Sequence, residues 1–256
     1  MSTETRSRIR TPYAADMSLP PPFRLVTLRE VGDAFAHARG IAAEAGAGTL
    51  VWVGRFDLVE FALVVEPDEP LWTARRTFYA GMAALADALV VHAPPEKVIA
   101  FDWPDAILVD GGLVGGGRLA WPAGAAEGVV PDWLVFGAMI RTVTTATGEP
   151  GLRPFAAALE EEGFDDLGSG RLVESFARAF MVVIDHWQEG GFGVVAKSYM
   201  QWLPSEPGVR REIDESGDLL VHRMAAPRAR LAERRSLTAK LADVAWLDPQ
   251  TRGPRL

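Results

Sequence analysis

The sequence predicts an α+β protein in which a mixed β-sheet is flanked by helices and carries a small C-terminal appendage. Three observations lead there. Apolar residues recur at three- and four-residue steps in well-separated stretches; short β-type runs are punctuated by glycine, proline and aspartate; and the pattern breaks at a proline-bearing stretch near residue 205.

Pro20 to Pro22 favours extended backbone, so residues 1–22 are expected to form a flexible arm and the fold to begin at Phe23. From Leu28 to Ala45 the residues Leu28, Val31, Phe35, Ala38, Ile41 and Ala42 mark one face of an amphipathic helix, ended by Gly46 and Gly48. TLVWVGR (49–55) and VEFALVVEP (59–67) read as a hairpin or adjacent strands around Asp57. Phe78, Met82, Leu85 and Leu89 stripe a second helix over 73–91, closed by Pro94 and Pro95. VIAFDW, AILVD and LVGGGRLAW are short strands separated by Pro104 and by the Gly111–Gly112 turn, and 133–143 continues the strand pattern.

After Gly148 the pattern turns helical: PFAAALEEEGF (154–164), then a run with Leu172, Phe176, Phe180, Ile184 and Trp187 at helical steps, then a short helix over 194–203. Ser205 to Gly208 is the best linker, which divides the chain into a domain over 23–204 and a small one over 209–256. In the second, VRREIDESGDLLVHR reads as two strands about a turn, followed by an arginine-rich helix over 229–244. A unit of about 50 residues is marginal alone, so it is expected to pack on the larger one.

Composition narrows the function classes. The chain has 256 residues, 48% of them hydrophobic, and no cysteine, which removes disulfides, thiolate metal sites and cysteine nucleophiles together. A net charge of −8 opposes a nucleic-acid partner. No apolar run approaches the roughly 18 residues of a membrane span, and the polar first residues lack a secretory pattern, so a cytoplasmic protein is expected. The four histidines have no metal-pair spacing. Lysine is confined to Lys97, Lys197 and Lys240.

The segment DWPDAILVDGGLVGGGRLAWP (102–122) carries the chemical argument. Gly115, Gly116 and Gly117 allow close approach of a ligand to the backbone, where free amides can hold a carboxylate or phosphate. Glycines in a strand also mark a bulge or tight packing, and that reading stays open.

The order of residues here resembles the biotin/lipoate A/B protein ligase family. Its ligases carry Lys-Trp-Pro-Asn-Asp on a strand end, an aspartate turn and a lysine-leucine-alanine-glycine strand. Asp102, Trp103, Pro104, Asp105 and Ala106 stand in the first motif, Asp110–Gly112 in the turn and Leu113–Gly116 in the strand. The resemblance extends thinly over about 25–222, and REIDESGDLLV is similar to the family's small C-terminal domain. It implies a class II synthetase-like catalytic domain that uses ATP and Mg²⁺ to activate biotin, lipoate or a fatty acid as an acyl adenylate, then transfers it to a lysine of a biotinyl or lipoyl carrier domain. A homodimer is a candidate assembly.

By the same resemblance Trp103 and Pro104 shape the pocket wall, Asp105 takes the motif asparagine's place, and Gly112 stands where the family has a lysine. The loop that folds over the adenylate maps to 46–55, where Arg55 is the one cation, and no counterpart of the serine-threonine-asparagine signature stands at Glu30–Asp33. Adenylation needs cations against the charge that builds on the phosphate. Arg55, Arg118 and Lys197 are the candidate substitutes; each also reads as an ordinary surface residue. Asp105, with Asp102, is the candidate magnesium ligand, or else caps a turn. The eroded cation set favours a noncatalytic relative that binds an acyl ligand or a carrier domain. An interaction module built on Arg223, Arg228, Arg230, Arg234 and Arg235 is a third reading.

Overall fold

The computed structural model describes residues 17–144, 155–164, 167–225 and 229–255. Its main sheet has seven strands in the order β1-β2-β3-β7-β6-β5-β4. These are β1 (Arg24–Leu28), β2 (Thr49–Val53), β3 (Leu58–Val65), β4 (Ile99–Asp102), β5 (Ala106–Val109), β6 (Gly112–Ala120) and β7 (Leu134–Arg141). Strands β1 and β2 pair in parallel and every other neighbour pairs antiparallel, so the sheet is mixed. The parallel pair needs a crossover, which α1 (Ala34–Ala45) supplies.

Strand β3 shows how the two faces form. Val59, Phe61 and Leu63 enter one core, whereas Ala62 and Val64 enter another and Leu58 a third. The first core lies under α3 (Thr77–His92), α4 (Ser169–Gly190) and α5 (Phe192–Met200). The second lies under α1. Helix α3, introduced by the single turn α2 (Leu71–Ala74), is apolar nearly all round and is accordingly buried nearly all round. Gly81 on it admits the Phe136 ring where a Cβ would stand. Helix α4 is amphipathic and buries Leu172, Val173, Phe176 and Phe180.

A second sheet holds β8 (Val209–Ile213), β9 (Leu219–Ala225) and β10 (Ala229–Arg235) in the order β10-β9-β8. It is followed by α6 (Leu237–Ala242) and the two-residue strands β11 (Leu247–Asp248) and β12 (Gly253–Pro254). Ile213, Leu219, Val221, Leu237 and Leu241 join the α3 core, and the Tyr79 hydroxyl donates to Gly217 O at 2.5 Å.

Three expectations are corrected. The helix expected from Leu28 begins at Ala34: Leu28 ends β1, Val31 is exposed, and Asp33 caps the helix by accepting the Ala36 N–H. The described part of PFAAALEEEGF is not helical. Its amides serve tertiary bonds instead, from Ala157 to Leu113 O and from Leu159 to Arg141 O. The arginine-rich segment is mostly strand, because 229–235 pairs antiparallel with β9, and only Leu237–Ala242 forms a helix, capped by Ser236. Of the expected arm, residues 17–22 are placed: Met17 and Leu19 pack against the α3 core and the Ser18 N–H donates to Glu174 at 2.6 Å. Residues 1–16 lie outside the described residues.

Candidate functional site

Trp103, Pro104 and Asp105 connect β4 to β5, and their surroundings differ sharply. Trp103 turns into the helical core, where its indole N–H donates to Tyr79 Oη at 3.2 Å. The Tyr199 hydroxyl of α5 donates to Pro104 O at 2.7 Å. Both tyrosine hydroxyls are held neutral, as burial pushes their pKa values well up. Trp103 and Pro104 are thus tied to α3 and α5.

Asp105 is 6% exposed, and its main-chain oxygen accepts the Gly117 N–H at 2.8 Å. Its Oδ2 has no hydrogen-bond partner among the described residues. Burial, with a smaller contribution from Asp102, pushes its carboxyl up to about 7, against the pull of Lys240 and the Trp246 indole. A magnesium ion takes several hard oxygen ligands. No group of three acidic or histidine side chains able to hold a metal by themselves occurs among the described residues, so a magnesium ion beside Asp105 would draw most of its ligands from substrate phosphate and water.

The three glycines pack against the chain itself. Gly115 and Gly116 pair with Ile140 and Met139 of β7. A Cβ at Gly116 would stand 2.5 Å from the Trp246 indole nitrogen, and one at Gly117 would stand 2.5 Å from Met82 Sδ. The Gly117 amide is already committed to Asp105.

The polar groups of the site gather next to them, on the face of the sheet that α1 covers. Glu60, 2% exposed, reaches from β3 to accept the Ala34 N–H at the start of α1 at 2.8 Å. Burial raises its pKa. Arg118 projects from β6 with its guanidinium carbon 4.3 Å from the Phe35 ring centroid. Its Nε is buried without an acceptor among the described residues. Burial lowers its pKa while Asp33 and Glu60 raise it.

Arg55 lies in the β2–β3 loop and is engaged in two hydrogen bonds to Asp57, at 3.0 and 2.7 Å. Lys197 is exposed on α5, a helix that packs in the core on the opposite side of the sheet. The structure therefore brings Arg118 together with Glu60, Asp33 and Phe35, with Arg55 near Glu60, and it leaves Lys197 apart. Sequence reasoning missed Glu60, although an acid in the apolar run LVEFALVV was a usable signal. It also missed Phe35 as a site residue, and Trp246, which carries no local signal.

A cavity of about 770 Å³ opens elsewhere, between the end of β3, α3 and α4, lined by Phe23, Glu66, Arg76, Phe180, Trp187 and Phe192 among others. None of the motif residues lines it, and Arg76 within it is already tied to Glu69 and to Thr73 O. The convergence of buried polar groups places the candidate site on the α1 face instead.

The mixed sheet with helices and a small C-terminal unit has known counterparts. The model of the biotin/lipoate A/B protein ligase family matches residues 19–201, and the chain belongs to that family. Among solved structures, it is similar to a biotin protein ligase-like protein of unknown function from Silicibacter sp. TM1040. That match has 26% identity and a TM-score of 0.73, and covers 87% of this chain and 98% of the other. The biotin protein ligase of Aquifex aeolicus shares the fold at 14% identity and a TM-score of 0.60, covering 83% and 99%. The same enzyme in complex with biotin and ATP matches at 13% identity and a TM-score of 0.57, covering 82% and 99%. No curated protein matches significantly in sequence. Among the described residues no helix is long and apolar enough to cross a membrane.

Proposed function

We propose that this protein is a repurposed member of the family that binds a small carboxylic acid of the biotin, lipoate or fatty-acid type without activating it. The observation that carries the reading is the buried Arg118 Nε–H with no acceptor among the described residues. A buried donor left unpaired costs about 1–3 kcal/mol, which a ligand carboxylate would relieve through a charge-assisted bond. The Phe35 ring lies against the guanidinium, 4.3 Å from its carbon to the ring centroid.

Against adenylation stands the state of the other cations. Arg55 is neutralised by Asp57, and Lys197 is exposed on a helix that packs on the far side of the sheet. Attack of a carboxylate on an α-phosphate builds negative charge, and losing one stabilising group costs about 10²- to 10³-fold. An ATP bound beside Glu60 and Asp105 would meet carboxyl groups where it needs cations.

The test is calorimetry with biotin, lipoate and octanoate, each with and without ATP and magnesium, followed by a pyrophosphate-release assay. Binding of one acid without pyrophosphate release is the expected result. Pyrophosphate release that depends on the acid would sink the proposal and restore the adenylating reading.

A further inference from the structure

Gly116 and Arg118 are two residues apart on β6, so their side-chain directions share one face of the sheet. Beyond Arg118 that face is closed by α1, since Ala120 packs into the α1 core and Phe35 lies against the guanidinium. A ligand whose carboxylate accepts from Arg118 can lay its body along β6 in one direction, over Gly116. The Trp246 indole stands there, 2% exposed, with its N–H donating to Gly117 O at 3.3 Å.

The indole is carried by a strap rather than by a strand of the main sheet. Main-chain bonds of residues 244–255 run within the segment, from Leu247 to Val244 O, from Arg252 to Asp248 O and from Arg255 to Trp246 O. The links described from this strap to the sheet are made by side chains. Trp246 packs with Leu58 and Met139, with Val244 and Leu247 against them. Arg141 of β7 donates to Pro254 O and Arg255 O. Among the described residues, lifting the strap therefore breaks no ladder of the main sheet, and it frees the space that the indole fills over Gly116, beside the Asp105 main-chain oxygen that stands 2.2 Å from where a Gly116 Cβ would be.

We infer that residues 244–255 are an intramolecular competitor for the acid site, with Trp246 occupying the niche that the body of an Arg118-anchored ligand must enter. The inference rests on the reading of Arg118 as the anchor. The chain as described is then the closed form, and binding exchanges the indole for the ligand.

Calorimetry with biotin, lipoate and octanoate on the full chain, on Trp246→Ala and on Trp246→Phe tests it, together with hydrogen exchange of 244–255 in the unmodified chain with and without each acid. Trp246→Ala is expected to bind at least one acid tenfold or more tighter than the unmodified chain, with Trp246→Phe between them. Acid binding to the unmodified chain is expected to speed exchange in 244–255. The inference is overturned if folded Trp246→Ala binds no tighter, or if the bound unmodified chain keeps its strap protection. Absence of binding to the unmodified chain and to every folded variant overturns it as well. Should Trp246→Ala fail to fold, Trp246→Phe and the exchange data decide. Adding Arg118→Gln to Trp246→Ala separates the two readings: tight binding that survives leaves the strap standing and removes Arg118 as the anchor, while its loss supports both.

Discussion

Replacing Asp105 by asparagine removes an ionisable group from a buried site at nearly constant volume. The Asp105 carboxyl is 6% exposed, and burial raises it from 3.8 to about 7. The folded chain thus holds this proton more tightly than the unfolded chain. Its stabilising effect is complete below about pH 4 and is lost as the pH rises through about 7. At about 1.4 kcal/mol per pH unit, the interval corresponds to roughly 4 kcal/mol at most. Glu60 and Asp87, raised by burial, act in the same direction, and carboxylates held down by partners, such as Asp57 beside Arg55, act in the opposite one, so the informative quantity is the difference between Asp105→Asn and the unmodified chain. Urea unfolding followed by tryptophan fluorescence at pH 4, 6 and 8 gives that difference. Asp105→Asn is expected to fall within about 1 kcal/mol of the unmodified chain at pH 4 and to exceed it by about 2–4 kcal/mol at pH 8. A difference that stays constant from pH 4 to 8 would refute the argument, because the carboxyl would then ionise alike in both states.

Three further substitutions probe the scaffold. Tyr199→Phe removes the bond to Pro104 O and leaves a buried carbonyl short of a donor, so a loss of about 1–3 kcal/mol is expected in the same urea assay. Gly81→Ala places a methyl group in the Phe136 ring, and a lower melting temperature with a cost of about 1–3 kcal/mol or more should appear in calorimetry. Arg55→Ala breaks a partly exposed pair with Asp57 and should change stability by less than about 1 kcal/mol, with acid binding unaltered; a tenfold loss of binding would return Arg55 to the site.

Much of the architecture is legible in the sequence because it rests on local periodicity. The stripe Phe78, Met82, Leu85, Leu89 marks α3, and the runs around β2, β3 and β7 are apolar because those strands lie inside the sheet. The order of tryptophan, proline and glycines in 102–119 pointed to the family that the comparison establishes. The segment 229–235 shows where local reading stops. Its alanine, leucine, arginine and glutamate are good helix formers, yet β9 supplies partners for its backbone groups and that pairing prevails.

The candidate site depends on tertiary structure more completely. Asp33, Glu60 and Arg118 come from the start of α1, from β3 and from β6, and no local pattern records which face of a strand a charge will take in relation to a distant helix end. Trp246 meets Gly116 from 130 residues further along the chain. The sequence determined that the strand at 115–117 would have no side chains; only the folded chain decided what would fill the space, because packing is settled by whichever distant group can bury its surface there.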